Sequence, residues 1–458
     1  MKRQLLFSTL ALLSFGGSAL AANRGGDFAP GGAQQAGYHE APGAARQVAP
    51  VGFFGEVGCG CETPCDCDSV PFEEPGCGVE IDCGCADMSC EGGCGGGSAG
   101  GCLTDCCFSG MLGSCDLGEP FALLGESCGY SAGGWLQLGY TSKALPLFNS
   151  RADNLQFQQA WLWAEKAIDT SNGFDIGGRI DYVYGTDAPD TQAFGTSPYG
   201  WDNSWDNGAD YGHALPQLYM EAGYGDLSFK VGHFYTLIGY EVVGAPDNFF
   251  YSHAYTMYNS EPFTHTGALG TLAVTDDIKV YGGYTLGWDS GFDDNGDNFL
   301  GGISVDVSDD ISLIYSCTGG RFNDSNGNSE RGYMQSIVAD ISLTDKLQYI
   351  FQTDYLDTQD KFDDGVRNTF DINQYLIYSV SDCLAVGGRF EWYDQEGVYT
   401  AYGDDSDIYA LTLGVNVKPH ANVMIRPEIR WDYDNEEVIG LEDGDKQTTF
   451  GIDSIFLF

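Results

Sequence analysis

Segments of alternating apolar and polar residues follow one another through the region 133–458, and the connections between them are short and long in turn. Alternation with a period of two predicts β-strands, because successive side chains of a strand point to opposite faces. In the segment 422–433 every odd-numbered residue is apolar, whereas the even-numbered positions include Arg426, Glu428 and Arg430. An amphipathic helix would repeat its apolar residues every three or four positions, so the pattern indicates a β-fold.

The lengths of the connections distinguish between the possible β-folds. Short joins such as 225–226 and 276–277 alternate with longer ones such as 188–213 and 241–265. Outer-membrane barrels have short turns at one end, longer loops at the other and an even number of strands, whereas a soluble sandwich has no reason for this asymmetry. We count about sixteen segments, each close to the length of a transmembrane strand. The sequence therefore predicts an all-β fold, a transmembrane antiparallel β-barrel at 133–458 with both of its ends in the periplasm.

The two termini of the chain agree with this prediction. Lys2 and Arg3 precede a short apolar run, and Ala19 and Ala21 supply the two small residues of a cleavage site, so residues 1–21 read as an export signal. At the other end an alternating strand finishes on Phe458, and a final aromatic residue is typical of outer-membrane barrels. We therefore expect the protein to reside in the bacterial outer membrane.

Two segments of different composition precede the barrel. Residues 22–58 are rich in Gly, Ala and Pro and predict a flexible linker. Residues 59–128 predict a largely irregular segment, because Gly, Asp and Glu dominate it and few residues could build a core. An exported chain favours disulfides here, either within the chain or to neighbouring chains, while zinc or an iron–sulfur cluster is the rival reading. The candidate disulfide cysteines are Cys59, Cys61, Cys65, Cys67, Cys77, Cys83, Cys85, Cys90, Cys94, Cys102, Cys106, Cys107, Cys115 and Cys128.

Two cysteines and one proline of the predicted barrel lead to separate predictions. Cys317 and Cys383 are expected to be free or too far apart to bond each other. Pro427 lacks the N–H that a strand paired on both sides needs, so it predicts a β-bulge.

The charge of the chain limits its partners. It carries 66 acidic and 20 basic residues, a formal net charge of −46, which makes nucleic acid an improbable partner. No nucleotide-binding loop, metalloprotease motif or nucleophile elbow is present, so we expect neither a cofactor nor a metal and no enzymatic activity. An outer-membrane hydrolase using His213 or His253 is the remote alternative.

Sixteen strands enclose a water-filled lumen, whereas about eight fill their interior with side chains. Charged side chains on the inner wall are tolerated where they meet water or a partner. One reading is a solvated wall with stabilising ion pairs, and the other is a transverse electric field that sorts solutes by charge. The predicted pore-lining residues are Arg179, Asp181, Lys230, Lys279, Arg389, Glu391, Arg426, Glu428 and Arg430.

The long connection 241–265 is aromatic as well as acidic. Because an apolar loop prefers to be buried, we expect it to fold into the lumen and narrow the pore, with its carboxylates facing the arginines. Its two histidines are interpreted as packing residues rather than as catalytic groups or metal ligands. The predicted constriction loop includes Glu241, Asp247, Phe249, Phe250, His253, Glu261 and His265.

Two stretches resemble a known family. FDIGGRIDYVYGTDA (174–188) and GHFYTLIGYEVVGAPDNFFYSHAYTMYNSEPFTHTG (232–267) are similar to the putative beta-barrel porin-2, OmpL-like family, and the resemblance covers most of 133–458. It implies an outer-membrane porin fold and passive solute permeation but no particular substrate. The Cys-rich segment lies outside the resemblance.

These observations leave two main functions. The leading one is a porin that lets small hydrophilic solutes or ions diffuse passively, and the second is a structural envelope protein cross-linked through its cysteines. The expected partners are outer-membrane lipid, the solutes or ions themselves, two further copies in a homotrimer, and disulfide-linked envelope partners. Ion selectivity stays open at this stage, because acidic loops favour cations and inward arginines favour anions.

Overall fold

The computed structural model describes residues 115–123, 125–127, 129–193, 201–208, 210–292, 296–325, 328–362, 364–396 and 405–458. The predicted export signal, the linker and most of the Cys-rich segment lie outside the described residues, so their assignments stay predictions. Of the candidate disulfide cysteines, only Cys115 is described.

In these described ranges, seventeen strands form one sheet. The first, β1, is a three-residue strand that pairs with the start of β2. The strands are β1 Gly125–Ser127, β2 Tyr130–Thr141, β3 Leu155–Lys166, β4 Phe174–Gly185, β5 Gly212–Tyr224, β6 Leu227–Tyr235, β7 Thr264–Thr275, β8 Ile278–Thr285, β9 Asp297–Ser308, β10 Ile311–Ser325, β11 Asn328–Thr344, β12 Leu347–Gln359, β13 Gly365–Ser381, β14 Leu384–Glu396, β15 Ser406–His420, β16 Val423–Asp434 and β17 Lys446–Leu457.

The sixteen strands β2–β17 close into an antiparallel barrel. Each pairs with its neighbours in chain order, and β17 returns to β2, with Gly451 opposite Thr141 and Leu457 opposite Trp135. Gly134 and Phe458 exchange two backbone hydrogen bonds of 2.9 Å, which seal the seam. The predicted sixteen-strand barrel is therefore confirmed, and its first strand begins at Tyr130, slightly before the predicted boundary.

The connections differ between the two ends of the barrel. At one end, called here the short-turn end, strands are joined by two-residue turns such as 225–226 and 382–383, and both ends of the barrel chain lie there. At the other, the long-loop end, the connections include 142–154, 186–211 and 236–263. The β10–β11 connection is an exception, because these two long strands stay paired up to Ser325 and Asn328.

The two faces of the wall differ in the way a lipid-facing barrel requires. In β16, Trp431 and Tyr433 point outward and are 38% and 44% exposed, whereas Arg430 and Asp432 point inward and are buried. Apolar side chains thus cover the outside and polar side chains the inside, the reverse of a soluble domain.

Pro427 does not form the predicted bulge. Its strand pairs with β17 in unbroken register, and the pairing with β15 keeps one register on either side of the proline. The missing N–H is accommodated without an extra residue.

The described connections contain little helix. There are two short α-helices, α1 (Ala188–Thr191) and α2 (Tyr255–Asn259), and two 3₁₀ turns, Leu147–Asn149 and Ala245–Asp247. None of the helices in the described ranges is long and apolar enough to cross a membrane.

The segment 115–123, called here the rim arm, lies along the short-turn end. Cys115 forms a disulfide with Cys383 in the β13–β14 turn, with the two Cα atoms 6.0 Å apart. Further along, Leu117 accepts a hydrogen bond from the Ala421 amide (2.8 Å). The expectation that Cys383 is free was therefore wrong, because a separation of 268 residues hides the proximity of arm and turn. Cys317, on β10, is free as expected.

Candidate functional site in the barrel interior

The connection between β6 and β7, residues 236–263, folds inside the barrel and is called here the inner loop. Its base is closed by a hydrogen bond from the Thr236 amide to the Phe263 carbonyl (3.1 Å). Only Asp247 is exposed and only Tyr240 is half-buried, while every other residue of the inner loop is buried. Because the loop is largely apolar and aromatic, this placement removes its surface from water.

The inner loop differs in its limits from the predicted segment 241–265. It begins earlier, and His265 lies not on the loop but on β7, where its Nε2 is 3.0 Å from the Thr236 hydroxyl. His253 does lie on the loop, with its Nε2 3.0 Å from the Val242 carbonyl oxygen. Burial lowers the pKa of His253 to about 4, so this side chain is neutral near pH 7.

Three inward arginines donate to the backbone of the inner loop. Arg389 Nη1 donates to the Ser252 carbonyl (2.6 Å), and Arg430 Nη1 donates to the His253 carbonyl (2.6 Å). From β16, Arg426 Nη1 donates to the carbonyl oxygens of Ala245 (2.7 Å) and Asn248 (2.5 Å). These charge-assisted bonds are stronger than neutral ones, and they fix the course of the loop along one wall.

Each of these arginines also pairs with a carboxylate. Arg389 Nη1 lies 2.6 Å from Glu241 of the loop. Burial opposes the ionisation of Glu241, but Arg389, His253 and the hydrogen bond from the Ala254 amide together outweigh it, so the pKa of Glu241 lies below its ordinary value. The other two pair within the wall, Arg426 with Asp453 (2.6 Å) and Arg430 with Asp432 (2.7 Å).

Two inward glutamates receive backbone amides of the same loop. Glu428 accepts from the amides of Tyr251 (2.9 Å) and Ser252 (3.1 Å). Glu391 accepts from the first two amides of α2, those of Tyr255 and Thr256, both at 2.8 Å. Arginines thus hold the carbonyl groups of the loop and glutamates hold its amides, so little of its buried backbone polarity is left unmatched.

Inward glycines make room for the aromatic side chains of the loop. A Cβ atom on Gly387 of β14 would lie 2.5 Å from the ring of Phe249, and one on Gly414 of β15 would lie 3.0 Å from the ring of Phe250. Any larger residue at Gly387 would therefore displace the loop. The Arg389 guanidinium lies over the Phe250 ring, 5.1 Å from its centre. The same arginine therefore contacts both an aromatic ring and a carboxylate of the inner loop.

The next aromatic residue, Tyr251, sits at the seam of the barrel. A Cβ atom on Gly451 of β17 would lie 2.9 Å from its ring, and one on Gly139 of β2 would lie 2.4 Å from its hydroxyl oxygen. Because β17 and β2 are the strands that close the barrel, one loop side chain contacts both sides of the closure.

Near its C-terminal end, at Glu261, the inner loop contacts the wall through carboxyl groups rather than arginines. Gln352 of β12 donates to Glu261 (2.5 Å) and to Asp354 (3.0 Å), and Asp371 of β13 accepts from the Asp354 amide (3.2 Å). All three carboxyl groups are buried. Burial, and next to it the neighbouring Asp354, raises the pKa of Glu261 well above its ordinary value of 4.5.

This arrangement predicts that the loop end is held less firmly as the pH rises. A carboxyl group whose pKa is raised in the folded state stabilises that state in its protonated form, so its contribution is full below its ordinary pKa and declines as the pH rises until Glu261 is ionised in place. We expect amide hydrogen exchange at 259–261 and 263, after correction for intrinsic rates, to accelerate as the pH rises above the ordinary pKa of a glutamate.

The Glu261→Gln variant should lose most of this pH dependence, and Glu436→Gln, at an exposed position of the 435–445 loop, should keep it. An equal pH dependence in Glu261→Gln and in the wild type would contradict the assignment.

The remaining predicted lining residues lie on other strands and have partners on the barrel itself. Arg179 of β4 pairs with Asp181 (2.6 Å) and Glu165 (3.2 Å). Lys230 of β6 lies 4.1 Å from the centre of the Tyr219 ring. Lys279 of β8 is half-buried at an inward position. The predicted set therefore divides into five residues that hold the loop and four that face the interior elsewhere.

Two residues that support the inner loop were not predicted, Asp453 through its pair with Arg426 and Asp289 by direct contact. Asp453 alternates inward with Gly451 and Ile455 on the last strand, so the period-two pattern could have identified it. Asp289, in the 286–296 connection, accepts from the amides of Phe263 (2.5 Å) and Thr264 (2.9 Å), and no sequence signal marks it. In the described part of the chain, no group of three or more His, Cys, Asp or Glu side chains is placed to hold a metal ion.

Several solved structures are similar to this chain. The anion-selective porin from Comamonas acidovorans is 11% identical, with a TM-score of 0.51 over 72% of this chain and 99% of that one. OmpT of Vibrio cholerae is 13% identical (TM-score 0.47, 73% and 99% covered), and the DcaP channel of Acinetobacter baumannii is 10% identical (TM-score 0.48, 74% and 100% covered). At these identities the likeness concerns the fold alone. Among curated protein sequences no relative matches this chain.

A family model settles the relationship at the level of sequence. The model described as "Putative beta-barrel porin-2, OmpL-like" matches residues 129–458, which include all sixteen strands of the barrel. The chain therefore belongs to the putative beta-barrel porin-2, OmpL-like family.

Proposed function

We propose that this protein is a non-enzymatic channel of the bacterial outer membrane through which small hydrophilic solutes or ions diffuse passively. One observation carries the proposal. Inward charged side chains near the short-turn end, among them Glu221, Lys230, Asp306 and Asp340, keep partial exposure inside the closed barrel, whereas the inner loop is buried except at Tyr240 and Asp247. A charged wall that retains contact with water belongs to an aqueous passage rather than to a packed core.

The same proposal gives the inner loop its role. It occupies the interior along β12–β17, where it displaces water and leaves a narrower passage than sixteen strands would otherwise enclose. Both ends of the barrel chain lie at the short-turn end, which is the periplasmic end in bacterial barrels. The long loops then face the outside of the cell.

Planar lipid bilayers test this function directly. We expect purified full-length protein to insert as discrete conductance steps, smaller than those of an unobstructed sixteen-stranded barrel. The same preparation denatured by heat serves as the control. Bilayers that stay silent with folded protein, as judged by its heat-modifiable mobility on gels, would contradict a channel.

A second candidate, a structural envelope protein, is favoured by the Cys115–Cys383 disulfide, which ties the Cys-rich segment, near its C-terminal end, to the short-turn end of the barrel. Silence in the bilayer combined with disulfide-linked polymers on non-reducing gels would select it. Assembly into a homotrimer stays a prediction.

A further inference from the structure

The three inward arginines that hold the inner loop are buried and therefore are not exposed to the passage. The side chains of Arg389, Arg426 and Arg430 are at most 2% exposed, and each is paired with a carboxylate at 2.6–2.7 Å. In each of them Nη1 also donates to a carbonyl group of the inner loop. A guanidinium that is both neutralised and covered by the loop has little attraction left for a passing anion.

Carboxylates outnumber basic groups on the inner wall as a whole. Some of them, such as Glu391 and Glu428, accept from loop amides, so those hydrogen bonds leave their negative charge in place. The inward acidic residues of the described strands are Glu165, Asp181, Glu221, Asp306, Glu330, Asp340, Asp354, Asp371, Glu391, Glu428, Asp432, Asp434 and Asp453. The inward basic residues are Arg179, Lys230, Lys279, Arg367, Arg389, Lys418, Arg426 and Arg430.

The short-turn end adds charge of the same sign. Its two-residue turns carry exposed aspartates, and Lys346 is a basic residue among them. The aspartates are Asp226, Asp276, Asp277, Asp309, Asp310, Asp345 and Asp382. A negative mouth in front of a negative wall raises the local concentration of cations and lowers that of anions.

The inner loop contributes one accessible charge. Asp247 ends the 3₁₀ turn Ala245–Asp247 and is the only exposed residue of the loop. The turn is fixed from β16, where Arg426 donates to the Ala245 carbonyl. The carboxylate is therefore held at a set position where the loop meets water.

We infer that the passage prefers cations over anions and that Asp247 is a selectivity-determining residue. This inference rests on the proposed channel function and names the class of solute that the channel admits best. Charge at a narrow point acts most strongly on ions, because little water separates the two.

The test is the reversal potential of full-length protein in a planar bilayer under a tenfold gradient of KCl. We expect the sign that corresponds to potassium preference, with a several-fold permeability ratio at low salt. The ratio should shrink when both sides are raised above about 1 M, where the Debye length falls to about 3 Å. A reversal potential of zero or of the opposite sign would overturn the inference, whereas the absence of any conductance would instead count against the channel function.

Two variants test the assigned residue. Asp247→Asn should lower the ratio of potassium to chloride permeability, and Asp247→Glu, which keeps the charge, should leave it near the wild-type value. An unchanged ratio in Asp247→Asn would overturn the role of Asp247.

Discussion

Replacing Arg389 by alanine is expected to raise the mean single-channel conductance several-fold and to make the current noisy. The substitution leaves the buried Glu241 carboxylate without its guanidinium and the Ser252 carbonyl without its donor. Removing one partner of a buried ion pair costs on the order of 3–5 kcal/mol, and we expect this cost to loosen the stretch of the inner loop that Glu241 and Ser252 anchor. The measurement is single-channel recording at fixed salt, with heat-modifiable gel mobility to show that the barrel is folded.

Two comparison variants make this prediction specific. Arg321→Ala removes an arginine that pairs with Asp297 at the long-loop end, where the side chains are 34% and 53% exposed. An exposed pair contributes at most about 1 kcal/mol, so the conductance should not change. Adding Glu241→Gln to Arg389→Ala removes the stranded charge and should recover part of the wild-type behaviour. A folded Arg389→Ala barrel with wild-type conductance would show that this clamp does not hold the loop.

Replacing Cys383 by serine is expected to release the rim arm. In the oxidised protein, digestion after Lys and Arg should yield the peptide 47–143 covalently joined to the peptide 368–389. In the variant these peptides separate, and the Phe121 amide, which donates to Asn422 Oδ1 (2.7 Å), should exchange at least tenfold faster. A disulfide typically contributes about 2–4 kcal/mol, and about 1.4 kcal/mol corresponds to a factor of ten.

The matched control is Cys317→Ser, since Cys317 is free and half-buried on β10. This variant should keep the linked pair of peptides and the wild-type exchange of Phe121. Recovery of 368–389 as a free peptide from oxidised wild-type protein would contradict the covalent tie.

The fold could be predicted to a large extent from the sequence, because a barrel wall imposes one simple rule on every strand. Alternation with a period of two places the strands, and the unequal connections orient them, so the predicted segment 422–433 falls within one residue of the observed β16 at either end. The same rule places Arg389 and Arg426 on the inner face. The sequence led to a wrong prediction at Pro427, where we expected a bulge. Whether a strand accommodates a proline without a bulge depends on its pairing with the neighbouring strands.

The partners of the site could not be predicted in the same way. The charge of Arg389 suggests a lining residue open to solutes, but its contact with Ser252 joins positions 137 residues apart, and no local pattern encodes that distance. Asp289 and Cys383 were missed for the same reason. Glu261 was expected to face arginines, yet it meets Asp354 through Gln352, because the direction of a loop side chain depends on the fold of the whole loop.

The position of Tyr251 has a consequence for the order of assembly. Its side chain lies against Gly139 of β2, the first strand of the barrel, and against Gly451 of β17, the last. The site that holds this side chain is therefore formed by both strands. This site is complete only when β2 and β17 have paired. We therefore expect full docking of the loop at Tyr251 to require closure of the wall, so that a barrel that has not yet closed holds its own loop only in part.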